Sequence, residues 1–148
     1  MQELNFPNYT FRLKNNENKP FIFDRIRKKF VRLNPEEWVR QHTVNFLHEE
    51  LRYPLSLINV EKEILLNGTK KRYDIVVFQK NGTIHLIVEC KAPEIKIQQA
   101  AFDQIARYNL ALNGSFLMVT NGLNHFYCMM DYTAEKYIFL KEIPAYCP

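Results

Sequence analysis

Two apolar, β-branched runs, Arg72–Phe78 (RYDIVVF) and Thr83–Pro93 (TIHLIVECKAP), flank the dipeptide Asn81-Gly82. Both positions of a two-residue hairpin loop need φ > 0, so Asn-Gly predicts such a loop, and the flanking runs predict its strands. In that register Lys80 faces Thr83, Phe78 meets His85, Val76 meets Ile87 and Asp74 meets Glu89. Leu57–Leu66 predicts an earlier strand of the same sheet, turning at Asn67-Gly68. Asn34, Pro35 and Glu37 predict a helix start with an N-cap, a proline at N1 and a capping-box glutamate. Val39, Thr43, Phe46, Leu47 and Leu51 follow at helical spacing, and the helix ends before Pro54. A second helix is predicted over Lys96–Asn113, with Ile97, Ala101, Gln104, Tyr108 and Leu112 on one face. Ser115–Thr120 predicts a buried strand, parallel to its neighbour because it follows a crossover helix. His125–Met130 and Lys136–Leu140 predict the last strands. The first 33 residues suggest only short strands, Tyr9–Leu13 and Phe21–Phe23, around a polar turn at Lys14–Pro20.

The order of these elements implies an α/β protein. At 148 residues it reads as one domain, with an N-terminal arm (1–33), a core (34–140) and a tail (141–148). Hydrophobic content of 47% excludes a disordered chain. A net charge of +4 permits a polyanionic partner without demanding one. Three cysteines without a CxxC pair, and no long apolar run or leader, suggest a cytoplasmic protein with reduced thiols and no membrane association.

Chemistry enters at one end of the hairpin. Carboxylates opposed on one strand face sit roughly 4.5–5.5 Å apart at Cβ and repel. Alternation places Lys91 on the face of Glu89. A buried acid pair needs compensation, and a divalent cation with oxygen ligands supplies it; solvated charges at a hairpin end are the alternative. Gln104 is a second anomaly, because an amide on an apolar stripe needs partners. Arg27, Lys28 and Lys29 form a basic cluster suited to phosphate contact or to a solvated strand face. Lys70, Lys71 and Arg72 precede Asp74 and could hold a phosphate backbone. His42 and His48 lack companions at ligand spacing and read as surface residues.

These residues carry a resemblance. Asp74 followed by Glu89-Cys90-Lys91 resembles the D…ExK motif of the PD-(D/E)XK nucleases, with Tyr73 standing where the name-giving proline would be. NPEEWVRQ at Asn34–Gln41, RYDIVVF, IVECKAP, the Gln104…Tyr108 pair and Val119-Thr120-Asn121-Gly122 occur in order over about Phe21–Phe139. Together they resemble the N-terminal nuclease domain of type I restriction enzyme R subunits.

The resemblance implies an αβββαβ core with a mixed central sheet flanked by helices, and a Mg²⁺-dependent (or Mn²⁺-dependent) DNA nuclease related to restriction–modification. It implies that Asp74, Glu89 and the backbone carbonyl of Cys90 hold the metal, with Glu37 joining from the first helix. Lys91 would orient the attacking water, Gln104 would complete the catalytic set by positioning a phosphate or Lys91, and Tyr108 would contact nucleic acid. Partners implied are DNA, restriction–modification subunits and a separate translocase, since no Walker A motif occurs in the chain. A homodimer would suit double-strand cutting. The rival expectation is a non-catalytic DNA- or partner-binding module that keeps a vestigial site.

Overall fold

A computed structural model describes residues 1–110 and 112–148. Its centre is a six-stranded sheet in the order β4-β5-β6-β7-β8-β9. The strands are β4 (Ile58–Leu66), β5 (Thr69–Phe78), β6 (Ile84–Cys90), β7 (Phe116–Thr120), β8 (His125–Asp131) and β9 (Lys136–Leu140). Only β6 and β7 pair in parallel, joined by the helix α2 (Gln99–Leu110); the other neighbours are antiparallel. The helix α1 (Pro35–Asn45) precedes the sheet and runs on into a π-helical turn at Phe46–Glu50. The order α1, β4, β5, β6, α2, β7 is the αβββαβ core expected from the sequence.

The two helices cover opposite faces of this sheet. Val39, Val44 and Leu47 pack with Ile75, Val77, Leu86 and Val88 on one side. Phe102 and Ala106 pack with Val76, Ile87, Leu117 and Val119 on the other. A sheet buried on both faces explains why β5, β6 and β7 read as near-continuous apolar runs.

The first 33 residues hold more structure than their sequence suggested. They form an antiparallel meander of β1 (Leu13–Asn16), β2 (Lys19–Asp24) and β3 (Lys29–Arg32). Glu17 and Asn18, at φ 53° and 63°, make a two-residue hairpin loop inside the stretch that read as a polar turn. Ahead of it, Leu4 is buried, and Asn5 N–H donates to Gly122 O at 2.8 Å.

The structure corrects the hairpin loop, the partner of Phe78, the limits and buried stripe of the second helix, and the placement of His42. The Asn81-Gly82 loop has three residues, not two: Gln79 N–H donates to Thr83 O, Gly82 N–H donates to Gln79 O, and only Gly82 takes φ > 0. A bulge between Val77 and Phe78 then opposes Phe78 to Ile84 instead of His85. Loop and bulge cancel, so Val76 still meets Ile87. The two-residue geometry is found at Asn67-Gly68, where both residues have positive φ. The second helix begins at Gln99 and ends at Leu110, short of both predicted limits, and buries Phe102, Ala106 and Asn109. Ala101, Gln104 and Tyr108 lie on its exposed face, so the buried stripe is not the one that spacing predicts. Finally, His42 is buried among Phe11 and Trp38, with Nδ1 2.8 Å from Trp38 O, rather than lying at the surface.

Candidate functional site

Asp74 sits where the strand ladder opens. β4 and β5 pair at Val60–Ile75 and again at Lys62–Tyr73, skipping Glu61 and Asp74. Glu61 has φ 56°, an unfavourable conformation for a side-chain-bearing residue. On the other side, the β5–β6 pairs end at Ile75–Val88. The Cys90 N–H is therefore free to donate to Asp74 Oδ2 at 2.7 Å. Asp74 and Glu89 are the next residues outward from the Ile75–Val88 pair, as the predicted register required.

Glu89 is the perturbed member of this pair. Burial, then repulsion from Asp74, raises its pKa from 4.5 to about 7, while Lys71 and Lys91 oppose the rise. Its Oε1 is buried without a hydrogen-bond partner among the described residues. So is the hydroxyl of Tyr73, whose pKa is also raised by burial and then by Glu89. A buried carboxylate oxygen with no donor is costly as an isolated charge and fits a cation.

The other oxygen of Asp74 meets Arg40, a residue the sequence pattern did not single out. Arg40 Nη2 lies 2.8 Å from Asp74 Oδ1, 2.8 Å from Glu61 Oε1 and 3.1 Å from Glu36 Oε1, and Nη1 lies 2.6 Å from Glu37 Oε1. Burial disfavours its charge, but Glu37 and Asp74 more than compensate, so its pKa is raised. Its i+3 and i+4 spacing from Glu37 and Glu36 was a legible signal. Glu61 left none, because strand patterning does not mark where a single ladder pair opens.

Glu37, the predicted helix ligand, is committed elsewhere. Its Oε1 also takes Arg27 Nη2 at 2.8 Å, and its Oε2 takes Gln41 Nε2 at 3.0 Å. Only half of the capping box forms: Glu37 N–H donates to Asn34 Oδ1 at 2.7 Å, while the Glu37 carboxylate faces the arginines. Its neighbour Glu36 is the helix acid that meets the site. Burial and then Asp74 raise the Glu36 pKa, with Arg40 and Lys91 opposing.

Of the predicted nucleic-acid contacts, Arg27 is turned inward, with Nε 2.6 Å from Asp24 Oδ2 and Nη2 on Glu37. Lys28 and Lys29 are exposed. Lys70 is exposed beside Glu63, and Arg72 lies 3.7 Å from Glu61. Lys71 Nζ stands 4.8 Å from the Tyr73 ring and 4.5 Å from the Tyr108 ring, which brings Tyr108 to the edge of the site. Gln104 lies one turn before Tyr108 on the same exposed face of α2. Lys91 follows Cys90 at the end of β6, its N–H donating to Thr120 O at 2.8 Å.

The donors present, Asp74 and Glu89 with the Cys90 carbonyl between Glu89 and Lys91 in sequence, suit a hard divalent cation, and the orphaned Glu89 oxygen is the observation that favours one. Among the described residues, no three His, Cys, Asp or Glu side chains converge in a ligating arrangement. No helix of the described residues is long and apolar enough to cross a membrane.

Comparison with known proteins follows the same lines. The profile of a family described as the type I restriction enzyme R protein N terminus matches residues 35–144. Among solved structures, the chain resembles a fragment assigned as the HsdR subunit of a type I restriction enzyme from Vibrio vulnificus YJ016. The TM-score is 0.54 and the identity 21%, over 76% of this chain. The chain spans 24% of that protein's length. At such identity the likeness shows the fold. No curated protein matches.

Proposed function

The chain belongs to the family of type I restriction enzyme R protein N termini, and from that premise we propose that it is a Mg²⁺-dependent nuclease acting on DNA within restriction–modification. The observation that carries this reading is the meeting of Asp74 with a buried, partnerless Glu89 oxygen beside Lys91. Asp74, Glu89 and the Cys90 carbonyl would hold the cation. Bound there, Mg²⁺ (or Mn²⁺) would polarise a phosphoryl oxygen and make a coordinated water more acidic.

The protein's own groups then have distinct tasks. Lys91 orients the attacking water and offsets charge developing at phosphorus. Arg40 fixes the Asp74 carboxylate through Oδ1 while the Cys90 N–H fixes it through Oδ2. Lys71, steadied between Tyr73 and Tyr108, offers a cation to the DNA backbone at the rim, with Gln104 close by on α2. The wider restriction–modification subunits and a translocase are the partners this function needs.

The test is cleavage of circular and linear DNA with and without Mg²⁺. Lys91→Ala and Glu89→Gln should each abolish Mg²⁺-dependent cleavage with the fold retained by circular dichroism. Full activity in either variant would overturn the assignment.

A second reading, a binding module with a vestigial site, is favoured by Arg40, which already places a cation on Asp74 Oδ1. Calorimetry separates the two: a working site takes up Mg²⁺ or Mn²⁺ and a vestigial one takes up neither.

A further inference from the structure

The meander carries a second surface with a chemistry of its own. Cross-strand register sorts its residues onto two faces. Leu13, Ile22 and Val31 are opposed on one face, and Ile22 is fully buried there. On the other, Lys14 opposes Phe21 and Phe21 opposes Arg32; Phe23 opposes Phe30; Asn16 opposes Lys19. Phe23 N–H donates to Arg12 O, which sets Arg12 beside Phe23 on this same face. It therefore holds four cations, three phenylalanines and no acid. The cations lie on the rings: Arg12 is 4.5 Å from the Phe23 centroid, and Lys14 is 4.3 Å from that of Phe30. The four cations are exposed and the phenylalanines partly so. None of the three rings packs against either core of the molecule.

We propose that this outward face of the N-terminal meander binds single-stranded nucleic acid, with Arg12, Lys14, Lys19 and Arg32 on the phosphates and Phe23 and Phe30 stacking on unpaired bases. Four cations with no opposing acid complement a polyanion, and as the phosphates draw Arg12 and Lys14 off the rings, Phe23 and Phe30 are uncovered as flat partners for bases. A duplex would satisfy only the cations. The surface lies outside the residues matched by the family and shares no side chain with the site around Asp74. Its opposite face is nonetheless tied to that site. Asp24 binds Arg27, Arg27 binds Glu37, Glu37 binds Arg40 and Arg40 binds Asp74, each at 2.6–2.8 Å. A strand captured on the meander is thus held by an element rigidly joined to the carboxylates.

Fluorescence anisotropy of labelled oligothymidylate, in EDTA and on the Lys91→Ala background, isolates this surface from any cleavage. Lys14→Glu with Lys19→Glu should weaken binding at least about tenfold, and the salt slope should fall by about 0.7 for each phosphate no longer neutralised. Phe23→Leu with Phe30→Leu keeps apolar bulk in the sheet and should weaken binding by about tenfold or more by removing the stacking platform. A control reversal on β9 and beyond, Lys136→Glu with Lys141→Glu, should change binding little. Equal weakening by the control pair, unchanged binding in both meander pairs, or no preference over a blunt duplex would each overturn the proposal. A nuclease-dead but binding-competent protein would leave it standing while sinking the catalytic reading, and the reverse result would do the opposite.

Discussion

Glu89 and Arg40 set opposite demands on Asp74. The Glu89 carboxyl is pushed up to about 7 by burial and by Asp74, so the folded protein keeps a proton that the unfolded chain releases above pH 4.5. Stability therefore falls as pH rises from 4.5 to 7, by about 3 kcal/mol in all, and is unaffected by this group below that window. Glu89→Gln removes the ionisation. Urea denaturation should show the variant matching wild type near pH 4 and exceeding it above pH 7. A divalent cation reverses the sign for wild type, so Mg²⁺ affinity should rise through the same pH window, with proton release measurable by calorimetry in buffers of different ionisation enthalpy. Arg40 is the complementary case. Arg40→Met leaves the buried Glu37 and the neighbouring Glu61 and Asp74 with one cation fewer and should cost about 3–5 kcal/mol in urea midpoint analysis. The sequence showed Asp74, Glu89 and Lys91 because alternation along two strands is a local rule. It hid Glu61 and marked Arg40 only by its helical spacing from Glu36 and Glu37; they gather at Asp74 through packing of α1 and the unpaired Glu61–Asp74 position of the β4–β5 ladder.

At the scale of elements, turn chemistry was legible in identity and ambiguous in geometry. Asn67-Gly68 and Asn81-Gly82 carry the same signal, yet the first closes a two-residue loop and the second a three-residue loop. The Asn81 side chain accepts from Thr83 N–H and Oγ, an arrangement that holds the longer loop. The compensating bulge at Val77/Phe78 kept the inner register as read, because the packed Val76 and Ile87 side chains set it. α2 failed differently: two apolar stripes competed, and the aromatic Phe102, met by Val119 and Cys128, won the buried side over Ala101. Two glycines separate conformational strain from crowding. Gly82 and Gly122 share φ +87°, but a Cβ at Gly82 meets nothing within 4 Å, whereas one at Gly122 meets Leu4 Cδ2 at 2.9 Å and Val39 Cγ2 at 3.0 Å. Gly82→Ala should cost about 1 kcal/mol from backbone strain alone. Gly122→Ala should cost about 1–3 kcal/mol more as the N-terminal arm is pushed from α1. Differential scanning fluorimetry of the pair checks the ranking.

Across the whole molecule, the meander and the core are joined by a row of alternating charges as well as by apolar contact. Asp24 is almost fully buried; its Oδ1 accepts the Ile26 and Arg27 N–H groups and its Oδ2 accepts Arg27 Nε and Gln41 Nε2. Burial pushes the Asp24 pKa up, but the Arg27 hydrogen bonds outweigh it and hold the value below that of an ordinary aspartate. Its contribution to stability is therefore complete above the unfolded pKa of 3.8 and lost as pH falls below it. Nothing in the N-terminal sequence announced this, since a lone aspartate among basic residues reads as a surface charge. If the row of charges makes one cooperative body of residues 1–33 and the core, calorimetry should give a single transition at neutral pH. Asp24→Asn should lower that transition as a whole, by about 1.5–3 kcal/mol for hydrogen bonds to a charged partner. It should leave no separate low-temperature step. A split endotherm in the variant, with the core transition unmoved, would show instead that the meander rides on the sheet without bearing on Asp74.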